Sequence, residues 1–200
     1  MNAGARAAFV LLILAAVSAG CAHLQDGTVL SGPTPAPSAT PLPCGSPVPG
    51  ALFVAMASYV TATTDPTYGL INGYALVAQD GTYSNVAQPI RVRPGDSVQF
   101  VNVEPATLTG QPSVQHSAAG LQSGASFPAA TFPPAAQVAT GTVIGNGPWS
   151  TGRVTASVTT LCYSQAFGTP TAGTFSFGDV DFYTSTNMRD VIVVTASAPR

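Results

Sequence analysis

From Ala51 onward the chain alternates short apolar runs with turn residues, and no long segment keeps the spacing of an amphipathic helix. The runs are rich in Val, Ile, Phe, Tyr and Thr and are punctuated by Gly, Pro, Asn and Asp, the pattern of strands. ALFVAMASYV (51–60) and GYALVAQ (73–79) read as two of them, and Asp80-Gly81 behind the second is a two-residue hairpin signal. In PIRVRPGDSVQFVNV (89–103), Ile90 and Val92 alternate with Arg91 and Arg93. Pro94-Gly95-Asp96 then turns the chain, and Val98 and Phe100 alternate again, giving the pair one apolar face. RVTASVTTLCYS (153–164), GTFSF (173–177) and RDVIVVTAS (189–197) have the same character. Seven or eight such strands predict an all-β fold, a β-sandwich. Between Ala118 and Trp149 the chain is rich in Gly, Ala and Pro without periodicity, and residues 119–148 read as a long irregular insertion of the kind that carries function.

The N-terminal part differs. Arg6 precedes the apolar run AAFVLLILAAVSAG, which stops at Cys21 and is too short to cross about 30 Å of hydrocarbon, so residues 1–20 read as a secretory signal. Residues 21–50 are rich in Pro, Ser, Thr and Gly, cannot bury enough apolar surface to offset the entropy of ordering, and read as a semi-stiff tether. The folded domain is expected over 51–200.

Composition narrows the partners. Only 7% of the residues are charged, against roughly a quarter in an average soluble domain. There is no lysine, and the six arginines are scattered. A phosphate backbone needs a concentrated basic patch, so nucleic acid is excluded as a partner.

The tetrapeptide SAGC at 18–21 resembles the lipobox of bacterial lipoproteins, departing from it at Ser18, where Leu is usual. The resemblance implies that Cys21 is diacylated, becomes the new N-terminus and anchors an exported chain to an envelope membrane. Ordinary cleavage after Ala19 is the competing reading. Three cysteines in an exported chain leave one over after any pairing. If Cys21 carries lipid, Cys44 and Cys162 remain to form one disulfide; two free thiols, one of them a metal ligand, is the alternative.

NVAQPIRVRPGDSVQFVNVEP (85–105) resembles the segment of plastocyanin-like cupredoxins that leads through a Pro-Gly-Asp turn toward the first copper-ligand histidine, here His116. GTFSFG (173–178) is similar to the family's glycine-aromatic-aromatic strand, MRDVIVV (188–194) to its methionine and final strand, and WSTG (149–152) to the segment ahead of that strand. The likeness covers residues 85–196 and implies a Greek-key, cupredoxin-like sandwich with His116 and Met188 at ligand positions. The other two ligands are missing. Asp179 stands where the family has its copper cysteine, and no histidine lies between it and Met188. A type-1 copper site needs a thiolate and two imidazoles, so this loop cannot build one. His116, Asp179 and Met188 are the candidate metal set that remains. The plain structural reading gives them core packing for Met188, a loop hydrogen bond for His116 and a turn cap for Asp179.

Catalytic chemistry has little to draw on. The histidines are His23, in the tether, and His116, and no GxSxG, phosphate loop or HExxH is present. Asp179 and Asp181, two apart, share a face if extended and are a carboxylate pair to be tested for calcium or acid/base work. The sequence therefore points to a non-enzymatic, envelope-anchored binding or structural protein with a degenerate copper site, no cofactor, and an unknown protein or small-molecule ligand. The alternative is a copper protein that uses His116, Asp179 and Met188 for storage, delivery or electron transfer.

Overall fold

The structure, a computed structural model, describes residues 44–104, 114–123, 127, 132, 134–156 and 161–198. The signal segment, Cys21 and the tether up to residue 43 lie outside the described residues. In chain order the strands are β1 (Leu52–Met56), β2 (Thr63–Asp65), β3 (Gly69–Ile71), β4 (Tyr74–Leu76), β5 (Ile90–Val92), β6 (Ser97–Asn102), β7 (Gln115–His116), β8 (Ala119–Ser123), β9 (Ala139–Thr140), β10 (Ser150–Thr151), β11 (Val154–Thr155), β12 (Cys162–Gly168), β13 (Gly173–Gly178) and β14 (Arg189–Val194). A short 3₁₀ turn covers Pro134–Gln137. Among the described residues no helix is long and apolar enough to cross a membrane.

The predicted all-β sandwich is what forms. One sheet has the order β12-β6-β1-β4, the other β5-β14-β13-β8-β10-β9, and two-stranded ribbons β11-β7 and β2-β3 stand beside them. The chain passes repeatedly between the layers, so β1 runs parallel to β6 and β5 parallel to β14. Period-2 alternation sends Val98 and Phe100 of β6, Phe175 and Phe177 of β13, and Ile192 and Val194 of β14 into one core. Phe100 sits at its centre, with ring centroids 6.0 Å from Trp149, 6.2 Å from Phe167 and 5.7 Å from Phe177. Each such ring, fully buried, stabilises the fold by about 2–3 kcal/mol. Gly120 lies under Trp149, where a Cβ would run into the indole nitrogen.

Three features add to the sequence reading. The Pro94-Gly95-Asp96 turn does not close a hairpin: β5 pairs with β14 and β6 with β1 and β12, so the turn carries the chain from one sheet to the other. Its geometry is nonetheless the expected one, with Gly95 at φ 90° and the Arg93 amide donating to Asp96 Oδ2 at 2.7 Å. Residues 119–148 are not wholly irregular, since β8 lies inside the six-stranded sheet between β13 and β10. Its sequence, AGLQS, has no β-branched residue, and close approach to Trp149 rather than propensity places it.

The third lies at residues 44–48. Cys44 is disulfide-bonded to Cys162, the Gly45 amide donates to the Tyr163 carbonyl at 3.1 Å, and the Val48 amide donates to Gln99 Oε1 at 2.9 Å. Gln99 Nε2 in turn donates to the carbonyls of Ser46 and Ser164. Residues 44–48 are thus tied to the sheet, where a buried glutamine takes residues 46–48 as hydrogen-bond partners.

Candidate functional site

The candidate residues gather at one end of the sandwich. His116 is set by β7, opposite Val154 of β11, and its ring is 1% exposed. Asp179 follows β13 and opens a loop closed by backbone bonds. Its amide donates to the Met188 carbonyl at 2.9 Å, and its carbonyl accepts from the Tyr183 amide at 2.9 Å. Asn187, with φ 56°, makes the left-handed step that returns the chain to Met188.

Asp179 is fully buried, and both its carboxylate oxygens are taken by protein donors. Oδ1 accepts from the amides of Asp181 at 2.8 Å and Phe182 at 3.1 Å, an Asx turn. Oδ2 accepts from the Ser117 amide at 2.9 Å and pairs with His116 Nδ1 at 3.1 Å. An oxygen already accepting from an amide is an acceptor for the ring too, so Nδ1 is the donor of this pair. Four donors fill the acceptor capacity of one carboxylate.

Nε2 faces Glu104, whose Oε2 lies 3.4 Å away. That is ion-pair distance for a charged ring, yet alignment falls short of a hydrogen bond, and Nε2 has no hydrogen-bond partner among the described residues. Glu104 is itself held by the Ser58 amide at 2.8 Å and the Ser58 hydroxyl at 2.5 Å. Phe182 closes the ring's flank at 5.3 Å between centroids.

Met188 does not point its thioether at this pair in any contact the structure gives. Its side chain packs on Gly73, which at φ 83° has no Cβ to exclude it, and it belongs to the apolar core. Asp181 turns away from Asp179 to a bidentate pair with Arg153, both bonds 2.7 Å, which holds its carboxyl below the usual range. Asp179 and Asp181 are therefore not a carboxylate pair aimed at one ligand.

Sequence reasoning missed two acids. Nothing in NVEP marks Glu104 as a neighbour of His116. Asp190 was legible: it shares the inward parity of Ile192 and Val194, lies opposite Phe177, and is fully buried. Burial pushes its carboxyl well above the ordinary range; Oδ1 accepts from the Val191 amide, and Oδ2 has no hydrogen-bond partner among the described residues. Tyr74, also buried, donates to the Ser117 carbonyl at 2.6 Å; burial first, then Asp179 and Asp190, push its phenol up.

The arrangement does not fit type-1 copper. Cys162 is in a disulfide, Asp179 is saturated, and among the described residues no group of three or more His, Cys, Asp or Glu side chains is placed to hold a metal ion. What the polar cluster does hold is protein: it ties β7, the 179–188 loop and the end of β6 together.

No family model and no curated protein matches the chain. Among solved structures it is similar to a methionine-to-alanine mutant of amicyanin, Cu(I), at 16% identity and a TM-score of 0.37, over 80% of this chain and 95% of that one. A likeness this slight carries no argument, and the all-β sandwich rests on the strand pairing itself.

Proposed function

We propose that this chain is a non-enzymatic, envelope-anchored binding or structural protein, built on a cupredoxin-like sandwich whose copper site is degenerate. The observation that supports the reading most is the saturation of Asp179: the residue at the family's cysteine position accepts four hydrogen bonds from its own chain. A carboxylate spent in this way braces loops and has no lone pair to offer a metal without breaking them. The copper-carrier alternative needs Asp179, His116 and Met188 to converge, which would cost those bonds and the packing of Met188 on Gly73.

Calorimetric titration of the mature chain with Cu(II), Cu(I) and Zn(II) tests the choice. The expected result is no saturable binding that His116→Ala or Met188→Leu abolishes. Stoichiometric binding lost in both variants would establish the carrier instead. Anchoring is tested separately by mass spectrometry of the mature N-terminus, where a diacylated Cys21 is expected and an unmodified Gly20 start would rule it out.

A further inference from the structure

A sheet face that meets water normally carries polar side chains, yet beyond Gln99 the outer face of the four-stranded sheet is apolar. Phe53 and Ala55 of β1 point outward there, and Val101 of β6 stands opposite Ala55 on one side and Tyr163 of β12 on the other. Over them lies a groove of about 470 Å³, walled by Phe53, Val101 and Tyr163 together with Tyr83, Val103 and Leu161, with no charged side chain in its lining. Phe53 and Tyr163 form an aromatic pair at 5.3 Å, Val101 is 2% exposed at the floor, and Leu161 is 53% exposed at the rim. Tyr83 is held in place by a neighbouring phenol: the Tyr59 hydroxyl donates to the Val103 carbonyl at 3.2 Å and so accepts from the Tyr83 hydroxyl.

We propose that this groove binds an uncharged aromatic small molecule carrying one hydrogen-bonding group. Its volume falls within the range of small-molecule pockets, about 300–1,000 Å³. A specific protein partner would need about 800 Å² from each side, far more than this concavity presents. Charge decides the next point: a charged ligand would give up its hydration with no counter-charge to meet, so the walls select a neutral one. The rings of Phe53, Tyr83 and Tyr163 offer faces and edges for offset or edge-to-face contact with another ring. The polar side chains left in the walls, the Gln79 amide and the Tyr163 hydroxyl, supply donors and acceptors for a single polar group. The binding reading above thereby gains a site and a ligand class, and copper plays no part in it, so either can fail alone.

Two dyes that differ by one charged group test it on the full mature chain. N-phenyl-naphthylamine is uncharged and has a single N–H; ANS is the same aromatic amine with a sulfonate added. Fluorescence titration is expected to show saturable binding of the uncharged dye, with ANS weaker by about tenfold or more, since its sulfonate meets no counter-charge. Leu161→Asp, a change at a largely exposed side chain, is expected to weaken the uncharged dye several-fold, and Leu161→Arg to strengthen ANS. In both variants the emission of the buried Trp149, read before dye is added, should match wild type and so report an intact fold. No saturable binding of the uncharged dye, binding of ANS as tight as that of the uncharged dye, or binding that both Leu161 variants leave unchanged overturns the proposal. So does an oligomer that excludes both dyes and that Leu161→Asp dissociates, which would make a second copy the occupant.

Discussion

Asp179 Oδ2 and His116 Nδ1 meet at 3.1 Å with both side chains shut off from solvent, so two buried polar residues are bonded to each other. Removing the carboxylate leaves Nδ1 and the amides of Ser117, Asp181 and Phe182 without their acceptor. Unsatisfied buried donors cost about 1–3 kcal/mol each, moderated by relaxation. Asp179→Ala is therefore expected to lower stability in urea by about 3 kcal/mol or more, and Asp179→Asn, which keeps an acceptor for the Asx turn, by clearly less. Equal, small losses in both would contradict the bracing role.

Asp190 gives a pH dependence of definite sign. Its folded-state value lies above its ordinary one, so the folded chain keeps a proton that the unfolded chain gives up. Stability from this group is full below the ordinary carboxylate range and is lost as pH rises toward the folded value. Denaturation of Asp190→Asn beside wild type should show the difference moving in favour of Asn as pH rises above about 4. A difference independent of pH would count against a protonated, buried Asp190.

The Arg153–Asp181 pair runs the other way. With its carboxyl held low by the guanidinium, its contribution is present above the ordinary range and is lost as pH falls. The pair is partly exposed, so Asp181→Asn is expected to cost no more than about 1 kcal/mol, and less in high salt.

Cys44–Cys162 closes a separation of 118 residues. Chain entropy assigns such a cross-link about 4–5 kcal/mol, although the origin of disulfide stabilisation depends on the model used. Reduction is expected to lower the thermal midpoint and to expose two thiols that resist labelling beforehand. Labelling of both in the denatured, unreduced chain would contradict the pairing.

Gly73→Ala tests the seat of Met188. The position combines φ 83° with direct contact to the Met188 side chain, so the added methyl meets both backbone strain and overlap. A loss of about 2–4 kcal/mol is expected. In Met188→Ala,Gly73→Ala the overlap is removed, and the combined loss should fall short of the sum.

Much of this fold was legible because alternation carries through the strands that matter: Val98 with Phe100, Phe175 with Phe177, and Ile192 with Val194 all face the core. β8 was not, because Ala119, Gly120 and their neighbours have no strand propensity and are placed by Trp149. Residues 46–48 are held by Gln99, a polar residue on a face that alternation marks as exposed. At the site, Asp179 and His116 meet across 63 residues of sequence, on the loop after β13 and on β7. The Glu104–His116 approach did not, since it joins the end of β6 to β7 across a contact that no local pattern encodes.

The most direct measurement is a long-range ¹⁵N–¹H spectrum of the His116 ring, recorded before and after one equivalent of Cu(II). The account predicts a slowly exchanging proton on Nδ1 that Asp179→Ala removes and that copper leaves unchanged. Stoichiometric loss of that signal on adding copper would contradict it, because the ring would then be binding metal in place of Asp179.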